Sequence, residues 1–311
     1  MRELGMKVNQ FEPQPRRVSN IGMLTGKAGK PVLLFYSHLD TVPAGDLTAW
    51  KYPPFAAEIH EGKIYGRGSC DNKQGIATTL CALRAIKECG IELNGKLMIV
   101  TVADEESGGT GIRAVIESGL LEGTDYGILA HSGVFDKAFG ITTGYRGHAL
   151  VKITTIGKAG HAAHEEGTIN AIMKMCKVAQ AINHMEFTGW KPHPVVPGDI
   201  KICVTMIEGG SKDNTIPGKC SIICDCRTLP GFGADMVLEN VNRVLDGLKK
   251  DDKELDVRVE IPSQQESTFI EANEPIVQAV KKVYEDFDAS KPVLIRAGLA
   301  SGDSNLKFCG I

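Results

Sequence analysis

The sequence predicts an α/β protein with a mostly parallel sheet and an inserted, mostly antiparallel α+β domain of ferredoxin-like order. Three observations predict it. Apolar runs at 31–36, 96–102 and 126–130 alternate with helical patterns at 75–89 and 110–118, the rhythm of a sheet crossed by helices. After Gly144 the period changes from continuous apolar runs to alternation of apolar and polar residues, as in half-buried strands. Polar clusters end each of the three apolar runs: His38 and Asp40, Asp104-Glu-Glu106, and His131. Open α/β sheets bind ligands at those carboxyl ends.

The elements follow in order. Pro31-Val-Leu-Leu-Phe-Tyr36 mixes β-branched and aromatic residues and reads as a buried parallel strand. Ile76, Thr79, Leu80, Leu83 and Ile86 recur at helical spacing, and Gly90 is a natural stop. Lys96–Val102 is a second buried strand, Thr110–Ser118 a helix closed by Gly119, and Tyr126–Ala130 a third strand. Tyr145–Ile156, Ile200–Ile207, Cys220–Cys226 and Leu255–Val259 read as the second domain's strands, with helices at Thr168–Ile182 and Asp235–Leu248. That order suits a four-stranded antiparallel sheet with two helices on one face, placed at 146–262. Pro275–Phe287 reads as a helix, Val293–Arg296 as a short strand and Gly298–Ser304 as a glycine-rich loop. The first domain is therefore expected at 1–145 and 263–311, interrupted by the insertion.

Composition bounds the function. A chain of 311 residues suits two domains, and 42% apolar with 23% charged residues suits a globular protein. Lys and Arg number 35 against 38 Asp and Glu, a formal charge of −3, which favours neither nucleic acid nor an anionic membrane. No run approaches the twenty apolar residues of a membrane span, and no signal peptide is visible. Nine cysteines without a Cys-x-x-Cys pair point to a reduced compartment, the cytoplasm.

The strand-end residues suit metal chemistry. Imidazole binds borderline metals, and a nearby carboxylate such as Asp40 fixes the tautomer of His38 or ligates in turn. Asp71 precedes a helix start, where an anion is favoured. Glu105 and Glu106 repel each other unless a cation or proton lies between them, so one suits ligation and its neighbour general-base work. Each feature alone has an ordinary explanation: a loop histidine, a helix cap, a solvated pair. Their shared place at the strand ends favours a site. Gly66-x-Gly68 and Gly108-Gly109 match neither the dinucleotide fingerprint nor a Walker loop, which argues against nucleotide binding.

Seven segments carry a resemblance: Ser37-His-Leu-Asp-Thr-Val-Pro43, Gly62-Lys-Ile-Tyr-Gly-Arg-Gly-Ser-Cys-Asp-Asn-Lys-Gln-Gly75, Ala103-Asp-Glu-Glu-Ser-Gly-Gly109, Gly157-Lys-Ala-Gly-His161, Asn214-Thr-Ile-Pro-Gly218, Asp225-Cys-Arg-Thr228 and Gly302-Asp-Ser-Asn305. In this order they resemble the co-catalytic zinc amidohydrolases. That family includes succinyl-diaminopimelate desuccinylase, acetylornithine deacetylase, aminoacylase, the glutamate-releasing carboxypeptidase and, more distantly, peptidase T. The resemblance implies two Zn2+ per chain, with Co2+ or Mn2+ as substitutes. It implies that His38 binds one zinc, Asp71 bridges both, Glu106 binds the second, Glu105 is the general base and Asp40 orients His38. His161 would help polarise the scissile carbonyl, and Asn214 and Arg227 would meet the substrate carboxylate.

The resemblance has departures. His131-Ser132 stands where the family usually carries another carboxylate ligand, and imidazole at that place suits zinc as well. The family's last histidine ligand is expected beyond residue 311, and Met1–Gly5 reads as the tail of a first helix, so the chain looks short at both ends. The expected activity is hydrolysis of an N-acyl amino acid by a homodimer paired through the inserted domain. The alternatives are a peptidase T-like di- or tripeptidase, and a metal-poor homologue that acts as a binding protein.

Overall fold

The structure is a computed structural model that describes residues 1–131, 134–135 and 138–298. The loop expected at Gly298–Ser304, with its Gly302-Asp-Ser-Asn305 segment, lies outside the described residues from residue 299 on. Contacts divide the chain into two compact units. The first holds 1–139 and 282–292, and the second 140–281 and the strand at 293–298.

In the first unit the strands are β1 (Lys7–Gln14), β2 (Arg17–Thr25), β3 (Val32–His38), β4 (Glu58–His60) and β5 (Lys63–Tyr65). Then come α1 (Lys73–Glu88), β6 (Lys96–Val102), α2 (Thr110–Glu117) and β7 (Tyr126–Leu129). Five strands form one sheet in the order β1-β2-β6-β3-β7. β3 runs parallel to β6 and β7, as its apolar run predicts, whereas β1, β2 and β6 pair antiparallel. The sheet is therefore mixed rather than mostly parallel. The hairpin of β1 and β2 is the reason: its residues are too polar to read as a buried strand. Met1–Gly5, expected as a helix tail, is a single 3-10 turn at Arg2–Leu4 closed by left-handed Gly5.

Alternation in β6 decides the layers. Met98, Val100 and Val102 face Leu34, Tyr36 and Ile21, and meet Ile112 and Val115 of α2. Leu97 and Ile99 point the other way, onto Leu83 of α1. With a helix layer on each face, the strands' carboxyl ends carry the polar residues.

The chain continues through β8 (Val134–Phe135), β9 (Ala138–Tyr145), β10 (Gly147–Ile156), β11 (Gly160–His161), α3 (Ala171–Asn183), β12 (Lys201–Gly209), β13 (Thr215–Ile216), β14 (Lys219–Thr228), α4 (Ala234–Asp251), β15 (Asp256–Gln265), β16 (Thr268–Phe269), α5 (Pro275–Phe287) and β17 (Val293–Gly298). In the second unit β12-β14-β10-β15 form an antiparallel sheet. Ala149, Val151, Ile153, Ile222, Cys224 and Cys226 project from one face onto Met175, Val178 and Ile182 of α3 and Val237, Val241 and Leu245 of α4. Burial pushes the thiols of Cys224 and Cys226 up to about 12. A separate sheet orders β16-β9-β17. No described helix is long and apolar enough to cross a membrane.

Candidate metal centre and active site

The centre is built at the ends of β3, β6 and β7. His38 closes β3 and is buried. Its Nδ1 lies 3.1 Å from the Asp40 carbonyl, an acceptor, so Nδ1 carries the proton. Nε2 then faces Asp71 Oδ1 at 2.9 Å, and His131 Nε2 reaches the same oxygen at 2.9 Å. Burial alone would raise the Asp71 carboxyl, but His131 and then His38 hold it below the ordinary carboxylate range. Burial likewise pulls His38 down, while the charge of Glu105 and the contacts with Asp71 and Asp40 carry it above the ordinary imidazole value.

Two neighbours fix this geometry. Asn72 is fully buried: its Oδ1 accepts the His38 amide at 2.8 Å and its Nδ2 donates to the Ala130 carbonyl at 2.9 Å, joining the ends of β3 and β7. Gly75 opens α1 so close to the same place that a Cβ there would lie 1.8 Å from the Ala130 oxygen, which only glycine avoids.

The Glu105–Glu106 turn is held by two other carboxylates. Asp40 accepts the amides of Glu105 and Glu106 at 3.2 and 3.1 Å. Its carboxylate thus fastens the turn as well as lying 3.6 Å from His38 Nδ1. Buried Asp104 has φ 67°, in the left-handed region, and accepts from Ser107, Thr110 and Arg17. Those hydroxyls, followed by the charge of Arg17, hold its carboxyl below the usual range. Two groups of side chains offer ligand atoms within 4.8 Å of one another: His38, Asp71 and His131, and His38, Glu105 and Glu106.

The second unit carries the other three expected residues. His161 on β11 pairs with Thr215 on β13, and the Ala162 amide donates to the Asn214 carbonyl at 3.0 Å, so His161 and Asn214 are neighbours. The Ala163 amide donates to His161 Nδ1 at 3.2 Å, which leaves the proton of the neutral ring on Nε2. Arg227 ends β14 in a two-point ion pair with Asp225, at 2.8 and 3.0 Å. Across the sheet it stands opposite His148 of β10 and Lys201 of β12.

Residues 34–308 match the profile described as Peptidase family M20/M25/M40. The chain belongs to this family. It is accordingly a metal-dependent hydrolase acting on C–N bonds. Succinyl-diaminopimelate desuccinylase 2 of Shewanella loihica is 29% identical over 312 residues, covering 98% of this chain and 80% of that protein. Acetylornithine deacetylase of Myxococcus xanthus is also 29% identical, over 75% of this chain but only 59% of its own length. Among solved structures, the family M20 metallo-carboxypeptidase Sso-CP2 of Sulfolobus solfataricus superposes with a TM-score of 0.76 at 19% identity, covering 98% of this chain and 81% of that one. Aminopeptidase PepT of Bacillus cereus gives 0.74 at 21%, covering 99% and 79%.

The M20 chemistry fits what the strand ends offer. With Nδ1 of His38 held to the Asp40 carbonyl, Nε2 faces Asp71 Oδ1 at 2.9 Å, a contact that a ring proton or a metal cation satisfies. A histidine held through Nδ1–H to a carbonyl is the usual posture of a metal ligand. The donor set of imidazoles and carboxylates suits Zn2+ and its first-row neighbours alike. Asn72 and Arg17 were not singled out by sequence reasoning, and Asp104 was named only as a member of a strand-end cluster, with no role. Asn72 and Asp104 adjoin named site residues, which was a usable signal. Arg17 sits in an unremarkable polar segment and left none.

Proposed function

We infer that the protein hydrolyses the amide bond of a small N-acyl amino acid, as a deacetylase or desuccinylase does. One observation carries the site: His38 and His131 converge on a single oxygen of Asp71 beside the Glu105–Glu106 turn. The acyl preference is supported by the sequence relatives, whose names specify succinyl and acetyl groups. The peptidase likenesses are of fold alone.

His38, Asp71 and His131 would hold one Zn2+, and Glu106, with Asp71 as bridge, the second. When bound, the ions supply Lewis acidity: they polarise the amide carbonyl and lower the pKa of water. Glu105 accepts the proton of the attacking water and delivers it to the leaving amine. His161, with its proton on Nε2, donates to the oxyanion of the tetrahedral intermediate. Arg227, oriented by Asp225, and Asn214 bind the substrate carboxylate, for which a guanidinium fork is the matching group.

The segment 146–262 serves as the inserted domain and pairs two chains into a homodimer. Support comes from β12, an outer strand of its sheet, which leaves Met206 and Ile207 66% and 61% exposed. Exposed apolar edges recruit a partner strand, and two-fold closure is the commonest outcome. A panel of N-acetyl amino acids, N-succinyl amino acids, dipeptides and tripeptides, assayed with zinc-loaded protein, tests the substrate class. Turnover of the N-acyl compounds is expected, and turnover confined to tripeptides would overturn it.

A further inference from the structure

We propose that Arg17 and Asp104 are positioning residues for the Glu105–Glu106 pair, a device that reaches from the β1–β2 hairpin to the metal ligands. It rests on Glu106 being a ligand and deepens that assignment. The geometry begins in β2, where Arg17 and Ser19 lie two apart and so share a face. Ser19 is fully buried, and its Oγ accepts the Ala103 amide at 3.1 Å. Arg17 Nη1 donates to Asp104 Oδ1 and reaches Ser107 Oγ at 3.4 Å. The two side chains thus grip consecutive residues at the point where β6 ends and the ligand turn begins.

Asp104 is the hub of that turn. Its side chain is 5% exposed, and both carboxylate oxygens are engaged. Oδ1 accepts from Arg17 and from Ser107 Oγ at 2.6 Å, and Oδ2 from Thr110 Oγ1 at 2.5 Å. Its own carbonyl accepts the Gly109 amide at 2.5 Å. A non-glycine residue at φ 67° is held there against a cost of about 1–2 kcal/mol, so the surrounding contacts set the conformation. The result is a closed turn from 104 to 110 in which Glu105 and Glu106 are fixed from both sides. Asp40 takes their amides, and Asp104 determines the backbone angle at which they leave β6.

A structural salt bridge elsewhere in the hairpin would serve the fold equally well. This one is placed on the residue before the two carboxylates, and a half-exposed arginine supplies it. Outer partners of metal ligands are worth about 10–100-fold in metal affinity. Loss of the Arg17–Asp104 pair therefore frees the Glu106 carboxylate from its place and weakens metal at that position. The ligand set His38, Asp71 and His131, held by Asn72 and Gly75, is unaffected.

The test is Co2+ titration of the metal-free full chain, read by its d–d absorbance, for wild type, Glu106→Gln, His131→Asn, Asp104→Asn, Arg17→Met and Arg17→Lys. Thermal unfolding of each variant runs alongside. Expected is a loss of about 10–100-fold in Co2+ affinity in Asp104→Asn and Arg17→Met that reproduces the spectrum of Glu106→Gln and not that of His131→Asn. Arg17→Lys falls between, because the ammonium keeps the charge but not the planar guanidinium whose Nη1 reaches both Asp104 and Ser107. Wild-type binding in Asp104→Asn and Arg17→Met, with Glu106→Gln impaired, overturns the proposal. So does a loss shared equally with the His131-dependent site, which is the mark of general loosening. If Glu106→Gln itself binds Co2+ as wild type does, the assignment of Glu106 fails first and the proposal falls with it. Arg17 is half-exposed, so Arg17→Met is expected to fold and to decide the question if Asp104→Asn does not.

Discussion

The two units hold their polar residues in different ways. In the first, several side chains around the expected site are fastened to elements far along the chain as well as to near neighbours: Asn72 to residues 38 and 130, Asp40 to residues 105 and 106, Asp104 to Arg17 as well as to Ser107 and Thr110. In the second, His161 is fixed by an amide two residues on and Arg227 by a carboxylate two residues back. Long-range contacts make the first site part of what holds the sheet ends together, so chemistry and fold share the same bonds. His161 lies on the two-stranded β11–β13 pair and Arg227 on the four-stranded sheet, and their local contacts let chemistry be lost with little loss of structure.

The sharpest way to break this comparison is Glu105→Gln. The side chain is assigned proton transfer, whereas the backbone amide makes the contact with Asp40. The rate on an N-acyl substrate is expected to fall by roughly 10²–10⁴-fold with an unchanged melting temperature. Full activity would remove Glu105 as the base. A collapse in stability would show that even this carboxylate belongs to the fold.

His161→Asn sharpens the contrast from the other unit. A lost oxyanion donor costs on the order of 10²–10³-fold in kcat, and because the ring is exposed and held locally, unfolding by urea is expected to match wild type. A kcat within twofold of wild type would take His161 out of the reaction. A large shift in the urea midpoint would make the second unit resemble the first.

Asn72→Ala reverses the pattern. It leaves the buried His38 amide without its partner and the Ala130 carbonyl with only the Ser37 hydroxyl at 3.5 Å, and an unsatisfied buried group costs about 1–3 kcal/mol. Stability is expected to drop by about 1–3 kcal/mol on that basis, and bound metal to drop with it. A variant that melts like wild type yet loses metal would separate site from fold in the first unit and defeat the comparison.

What the sequence disclosed follows the same division. β3 and β6 were legible because residues buried on both faces leave continuous apolar runs, β7 because its short apolar run survives at half-buried positions, and the strand-end clusters by position. The hairpin at Lys7–Gln14 and Arg17–Thr25 was not, because β1 is an outer strand with no buried residue and β2 buries only Ser19, Ile21 and Gly22, which leaves no continuous apolar run. The strand read at Tyr145–Ile156 is β10, but it starts at Gly147; Tyr145 ends β9 of another sheet, and nothing in the alternation marks that change. Residues 263–268, read as a polar link, in fact finish β15 and start β16. His38, Asp71 and His131 were named from sequence and meet in space, whereas Asn72, Asp104 and Arg17 act through partners 34 to 87 residues away. Such pairings leave no local periodicity to read.

The smallest expected effect belongs to a contact of the second unit that carries no chemistry. Lys174 of α3 donates to both oxygens of Asp252, at 2.7 and 2.9 Å, and lies 3.3 Å from Glu254. The hydrogen bond to Asp252 raises Lys174 above the ordinary ammonium value, and the same bond holds Asp252 below the ordinary carboxylate range. The two directions bound a pH window. Asp252 is depressed in the folded chain, so its contribution is present above its unfolded value of about 3.9 and is lost as pH falls through the lower folded value. Lys174 is raised, so its contribution is complete below about 10.4 and is lost as pH rises through the higher folded value. The pair therefore stabilises from about pH 4 to about pH 10, by about 0.5–1 kcal/mol, the upper part of the range for a pair that is not fully exposed. Lys174→Met is expected to lower the unfolding free energy in urea at pH 7 by that amount, to flatten its fall below pH 4, and to leave kcat and KM unchanged. A fall in kcat that tracks the stability would mean that the second unit, too, binds its chemistry into its fold.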